Sequence, residues 1–219
     1  MNLVFDPEKH IYTLDGRRVP SVTQCIGGVL GKGWEADEWY LDRGTQIHAA
    51  AALIARGKLD WEKWETQLRE AFAEAEATSI IGRAKAVERF LKEWRLHPEE
   101  CECQMGSATI QIAGTADLIA YNDNRKWVLV DYKGSLDPRV EVQLGMYSLL
   151  SESQHKYPRV ISQAIAVKLN DNGTYKLWIG TRKPVKCYSD FDLNVAENTA
   201  KHVRSVYAWM QSKKLIKEE

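Results

Sequence analysis

The sequence is short of most features that announce a function. Its 219 residues contain no apolar run of about 18, the length a membrane-spanning helix needs. The opening, MNLVFDPEKH, has no basic stretch leading into an apolar one, so no secretory signal is expected. Neither sign of charge is in excess: 30 basic and 30 acidic residues give a formal net charge of zero. That balance excludes a uniformly basic protein that coats nucleic acid, but not a groove with local positive potential. Cysteine is scarce, with Cys25, Cys101, Cys103 and Cys187 alone, and no CxxC pair or Cys/His set has zinc spacing. Cys101 and Cys103, two apart on an expected strand, are read as small half-buried residues on one face. This usage fits a reducing, cytoplasmic compartment. The G-x-x-x-x-G-K-[ST] phosphate loop is absent, and so are internal repeats and low-complexity segments.

What is present is ordinary globular material, 44% hydrophobic and 27% charged, in a length that suits one domain. Leu3–Phe5 and Ile11–Leu14, broken at Asp15-Gly16, read as a hairpin. Ser21 or Thr23 caps a short helix reaching at most Leu30, which Gly27-Gly28 could end early. Helical composition covers about 36–56, and further helices are expected over 61–77 and 83–96. The texture then turns to strands, at 102–104, 108–121 and 126–133, with Asn122-Asp123-Asn124 as a turn. Asp137-Pro138 opens a helix to about Ser153. A hairpin follows over 160–169 and 174–181, then a last helix from about Leu193 to Lys214. The expected fold is α/β (α+β), a central mixed sheet flanked by helices. We expect a single domain, with an N-terminal hairpin and helical region (1–97), a sheet core (98–190) and a C-terminal helix (191–219).

The chemistry concentrates between Gly114 and Tyr147. Asp131 and Lys133 lie two apart at the end of the apolar run Trp127–Val130, so both project to one face and Tyr132 to the other. Charged groups ending a central strand are costly unless paired or ligand-bound. Asp117 takes a similar position on the neighbouring strand, with Gly114 three residues earlier permitting close approach of backbone or ligand. Two nearby aspartates repel, and a divalent cation removes that repulsion. Mg2+ prefers oxygen ligands and suits a phosphodiester substrate. Lys133 would orient the attacking water or stabilise developing charge. Gln143 and Tyr147 share a helix face, with polar ends able to reach a phosphate or base.

The pattern G-x-x-D, apolar strand, D-x-K, then Q-x-x-x-Y resembles the PD-(D/E)XK nuclease superfamily, in particular its RecB-like exonuclease branch. Gly44 and His48, four apart, resemble that branch's helical histidine. His10-x-Tyr12, Asp15-Gly16 and Pro20-Ser21-Val22-Thr23 resemble the start of small stand-alone phage members and of the mitochondrial genome maintenance exonuclease. The resemblance implies a restriction-endonuclease-like core, with His48, Asp117, Asp131 and the Tyr132 carbonyl as metal ligands. It implies catalysis by Asp117, Asp131 and Lys133, and substrate contacts from Gln143, Tyr147, Ser21 and Thr23. Glu102 is the position where members carry a further glutamate, and Glu100 competes for that role. An imidazole ligand favours Mn2+ over Mg2+. Only Cys187 lies beyond the core, so no iron–sulfur cluster is expected. Gly134 stands where many relatives have Thr. The implied activity is exonucleolytic cleavage of DNA at ends, with single strands preferred, in recombination, repair or phage DNA processing. A recombinase, annealing protein or helicase is the expected partner class, since no helicase motif is present. Trp34, Trp39 and Trp94 could stack bases, and Lys32, Arg43, Arg139, Lys168, Arg182 and Lys183 could line a groove. An endonuclease on the same core, or a binding module without catalysis, is the alternative.

Overall fold

The structure, a computed structural model, describes residues 1–31, 38–153, 159–183 and 189–216. Lys32, Trp34 and Cys187 lie outside the described residues. The chain opens as three antiparallel strands, β1 (Leu3–Asp6), β2 (Ile11–Leu14) and β3 (Arg17–Val19). Asp15 and Gly16 turn β2 into β3 with positive φ, +48° and +79°, as a two-residue hairpin loop requires. Helix α1 (Val22–Leu30) follows, capped at Ser21. The Ser21 hydroxyl accepts from the Gln24 amide at 3.0 Å, and the Gln24 side chain accepts from the Ser21 amide at 2.9 Å. This reciprocal cap and the buried face of Val22, Cys25 and Ile26 carry the helix through Gly27-Gly28 rather than ending there.

Helices α2 (Glu38–Ala55), α3 (Trp61–Ala71) and α4 (Glu74–Glu93) come next. The break between α3 and α4 falls at Phe72-Ala73, well before the 78–82 gap expected from the sequence. Ala73 has no capping side chain. Glu76 caps it instead by accepting from the Ala73 amide at 3.2 Å, so nothing in residue type marks the boundary.

The main sheet holds β4 (His97–Ser107), β5 (Ile112–Tyr121), β6 (Trp127–Lys133), β7 (Ile161–Leu169), β8 (Tyr175–Thr181) and the two-residue β9 (Phe191–Asp192), in that order. Neighbours are antiparallel except β6/β7 and β8/β9. Helix α5 (Arg139–Glu152) makes the crossover between the parallel pair β6 and β7, and α6 (Leu193–Ser212) follows β9. The strand expected over 108–121 begins only at Ile112, because 108–111 form the β4–β5 turn.

Helices α1, α5 and α6 pack one side of the sheet, around Ile119, Leu129, Leu144 and Leu150. Helices α2, α3 and α4 pack the other, around Leu118, Val128, Val130 and Phe90. Covered on both sides, β6 is apolar at consecutive positions: Val128, Leu129 and Val130 are fully buried. The two cysteines of β4 do not share a face. Cys103 sits in the core under α5 and Cys101 in the core under α2 and α4. Between them Glu102 has φ +52°, a left-handed residue that breaks the strand's alternation. Among the described residues no helix is long and apolar enough to cross a membrane.

Candidate active site where the central strands part

The β5–β6 ladder runs from Tyr121↔Trp127 to Leu118↔Val130 and stops. The next positions on the two strands are Asp117 and Asp131. Where a ladder bond would continue, the Tyr132 amide donates to Asp117 Oδ2 at 2.6 Å. The carboxylate thus replaces a backbone acceptor and lets the strands diverge around it.

Three further groups reach this point. Helix α2 delivers His48, whose Nδ1 lies 3.0 Å from Asp117 Oδ1 and 3.9 Å from Glu102 Oε1. The left-handed turn of β4 at Glu102 accompanies the placing of its carboxylate beside His48 and Asp117. Lys133, two residues beyond Asp131, places Nζ 2.6 Å from Asp131 Oδ2. Donor atoms of His48, Glu102 and Asp117 all lie within 4.8 Å of one another.

The electrostatics follow from crowding acids in a buried place. Burial opposes ionisation of Asp117, but the His48 charge and hydrogen bond, Lys133 and the Tyr132 amide together hold its carboxyl below the usual range. Asp131 goes the other way: burial, with Asp117 repelling, lifts it to about 6 against the pull of Lys133. Glu102 is raised to about 7 by burial and by Asp117, with His48 opposing. Burial disfavours the His48 imidazolium, yet Asp117, Asp131 and Glu102 outweigh it and raise His48 to about 9. Without a cation, then, the site keeps a proton on His48 at neutral pH. Burial likewise disfavours the Lys133 ammonium, but Asp131 and Asp117 hold its pKa above the ordinary value.

The other candidates separate into those at the site and those elsewhere. Glu100 faces away, with Arg159 Nη2 at 2.8 Å, which leaves Glu102 as the glutamate beside Asp117. The Tyr132 ring is buried in the core under α2 and α4. Gln143 Nε2 donates to Tyr147 Oη at 3.4 Å, but the Tyr147 ring is only 4% exposed. A side chain at Gly114 would lie 2.9 Å from that ring and 3.0 Å from Val22, so this glycine admits a tyrosine rather than a ligand. Ser21 is buried and its hydroxyl is engaged in the α1 cap, so of that pair only Thr23 presents to solvent. Arg182 is not a groove residue either: it pairs with Glu152 and Glu197 and donates to the Ile161 carbonyl at 2.6 Å. Arg139 folds back on Asp137 at 2.9 Å. Trp39 and Trp94 pack partly buried against the core under α2 and α4. Sequence reasoning missed the Tyr12 hydroxyl, 2.8 Å from Thr115 Oγ1 on the strand of Asp117. It missed Arg83 on α4 as well, which nothing in its neighbourhood marks.

A mixed sheet whose central strands part around two largely buried aspartates and a lysine, with a histidine supplied from a covering helix, is the architecture of a nuclease core. The model of the PD-(D/E)XK nuclease superfamily matches residues 29–213, and the chain belongs to that superfamily. Among solved structures, the chain is similar to one from Eubacterium rectale described as "Putative exonuclease", with 12% identity and a TM-score of 0.43 over 84% of this chain and 73% of that one. It is also similar to the structure of SSO0001, with 16% identity and a TM-score of 0.30 over 84% of each chain. No curated protein matches the chain.

Proposed function

We propose that the protein is a divalent-metal-dependent exonuclease that hydrolyses phosphodiester bonds at DNA ends and prefers single strands. The observation that carries the hydrolytic part is the convergence of His48, Glu102 and Asp117, within 4.8 Å, on the place where Lys133 meets Asp131. Oxygen and imidazole donors of this kind suit Mg2+ or Mn2+, and the raised Asp131 and Glu102 are acids that a cation would relieve. His48, Asp117, Asp131 and the Tyr132 carbonyl would hold it, with Glu102 as an added donor. When bound, the cation polarises a phosphoryl oxygen and lowers the pKa of a coordinated water. The chain's own part is positional: Lys133, held by Asp131, presents an ammonium beside the scissile phosphate, where negative charge develops. Preference for ends and single strands is supported by the resemblance of the motifs to the RecB-like branch. The same resemblance supports a place in recombination, repair or phage DNA processing beside a recombinase, annealing protein or helicase.

The test is digestion of end-labelled linear DNA, single- and double-stranded, beside a covalently closed circle, in Mg2+, Mn2+ or chelator. We expect metal-dependent loss of the linear substrates and an intact circle. Cutting of the circle would make the protein an endonuclease, and no hydrolysis in any metal would leave a binding module.

A further inference from the structure

Beyond the metal site, two arginines from different helices converge on the backbone just past Lys133. A side chain at Gly134 would lie 3.8 Å from Arg83 Nη1 on α4 and 4.0 Å from Arg43 Nη2 on α2, with nothing nearer. Both guanidinium ends therefore face the same open point, one residue from the lysine. A like charge close by disfavours the charged form of each, a cost that an anion between them would remove. Asp171 removes part of it, with Oδ1 2.5 Å from Arg83 Nε. Among the described residues no carboxylate pairs with Arg43, whose guanidinium instead lies over the rings of Tyr40, at 4.7 Å, and Trp39, at 5.8 Å. Burial, then the charge of Arg83, weakens Arg43's hold on its proton, with Asp171 and Tyr40 opposing, so the two cations sense each other and share the influence of one carboxylate. Held by ring faces and by one carboxylate, both side chains are partly ordered before any ligand arrives. That preorganisation lowers the entropy lost on binding. A guanidinium fork matches phosphate oxygens two at a time.

We propose that Arg43 and Arg83, which both reach the side-chain position of Gly134, form a second phosphate subsite that grips the DNA phosphate next to the one being cut. The inference rests on the nuclease reading and deepens it, because it says how the strand is held in register for the lysine. The phosphate could be an internal diester or a terminal monoester, and the substrates below separate the two.

The experiment measures binding of a fluorescent single-stranded oligonucleotide in chelator, and cleavage in Mn2+, for the wild type, Arg43→Gln and Arg83→Lys. Thermal melting checks that each variant folds, and Arg83→Lys keeps the charge facing Asp171 while losing the fork. The oligonucleotides carry one uncharged methylphosphonate at successive positions, or a 5′- or 3′-terminal hydroxyl in place of a phosphate. We expect Arg43→Gln to bind about tenfold more weakly, and its slope of log affinity against log salt to fall by about 0.7, one phosphate contact on a single strand. One substitution position should weaken wild-type binding by a similar factor and weaken Arg43→Gln no further. If that position is internal the ligand is a diester; if it is the terminal hydroxyl, a monoester. Additive losses at every position, or a variant with wild-type affinity and slope, would overturn the subsite. A wild type that shows the pattern but cleaves nothing keeps the subsite and sinks the catalytic reading. Cleavage without the pattern does the reverse.

Discussion

Asp117 accepts the Tyr132 amide on one carboxylate oxygen, at 2.6 Å, and faces His48 Nδ1 with the other, at 3.0 Å. One side chain therefore both ends the β5–β6 ladder and anchors the histidine. Replacing it with asparagine tests the two roles apart. The carboxamide oxygen of the new side chain could still accept from the Tyr132 amide, so the fold should survive with a modest loss of melting temperature. The largest of the charges that hold His48 protonated would be gone, leaving Asp131 and Glu102. We expect Asp117→Asn to lose at least about a thousandfold in hydrolysis. In metal-free protein, the His48 ring resonances should titrate well below the wild-type value of about 9. Wild-type activity in this variant would remove Asp117 from the site.

The ionisations also predict how the metal-free protein answers to pH. His48 titrates at about 9 against an ordinary 6.5, Glu102 at about 7 against 4.5, and Asp131 at about 6 against 3.8. All three folded values are raised. Each group therefore contributes stability that is full below its ordinary pKa and is lost as pH climbs through its folded one. Asp117, the lowered acid, matters only below its ordinary 3.8. In chelator the melting temperature should fall by roughly 5 °C between pH 6 and pH 9. A cation must displace the His48 proton, so with Mn2+ the trend should flatten or reverse, and calorimetry in two buffers should show proton uptake by the buffer. A flat profile in chelator would contradict the cluster's charge arrangement.

Lys133 offers a cleaner separation of binding from chemistry. Its ammonium lowers Asp131, so Lys133→Ala should push the Asp131 pKa above about 6. Turnover should drop by about two to three orders of magnitude, the size seen when a preorganised charge-stabilising donor is removed. DNA affinity should stay within about threefold. Comparable losses in affinity and turnover would make Lys133 a binding residue.

How far the sequence disclosed all this depended on the kind of signal. The D-x-K at the end of an apolar strand was legible because period-two alternation fixes which side chains share a face. The same rule failed at Cys101 and Cys103, since one left-handed residue, Glu102, shifts the phase and has no marker in residue type. The start of helix α4 was misplaced, at 83 rather than 74, because its cap comes from a backbone amide and Glu76, not from a Ser, Thr, Asp or Asn. Ser21 was a visible cap, and the hydroxyl expected to meet substrate is the one that accepts the Gln24 amide. Arg83 could not be found at all: its partner Asp171 lies 88 positions away, in the β7–β8 turn.

That distant pair yields the last prediction. Gly82, read in the sequence as part of a break between helices, lies inside α4 with the β7–β8 turn pressed against it. A side chain there would sit 1.7 Å from the Asp171 carbonyl oxygen, well inside van der Waals contact. The obstacle is backbone, so it cannot swing aside. Gly82→Ala must move the turn bodily, and with it the carboxylate that orients Arg83 at 2.5 Å. Helix propensity alone would favour Ala by about 1 kcal/mol. The overpacking should outweigh it and leave a net destabilisation of about 2 kcal/mol, or roughly 4–8 °C in melting temperature. DNA affinity should weaken in step with Arg83→Lys, because both changes unseat the same guanidinium. A Gly82→Ala protein as stable as the wild type would show that the turn does not rest on α4, and one with normal affinity would show that Asp171 does not hold Arg83 in place.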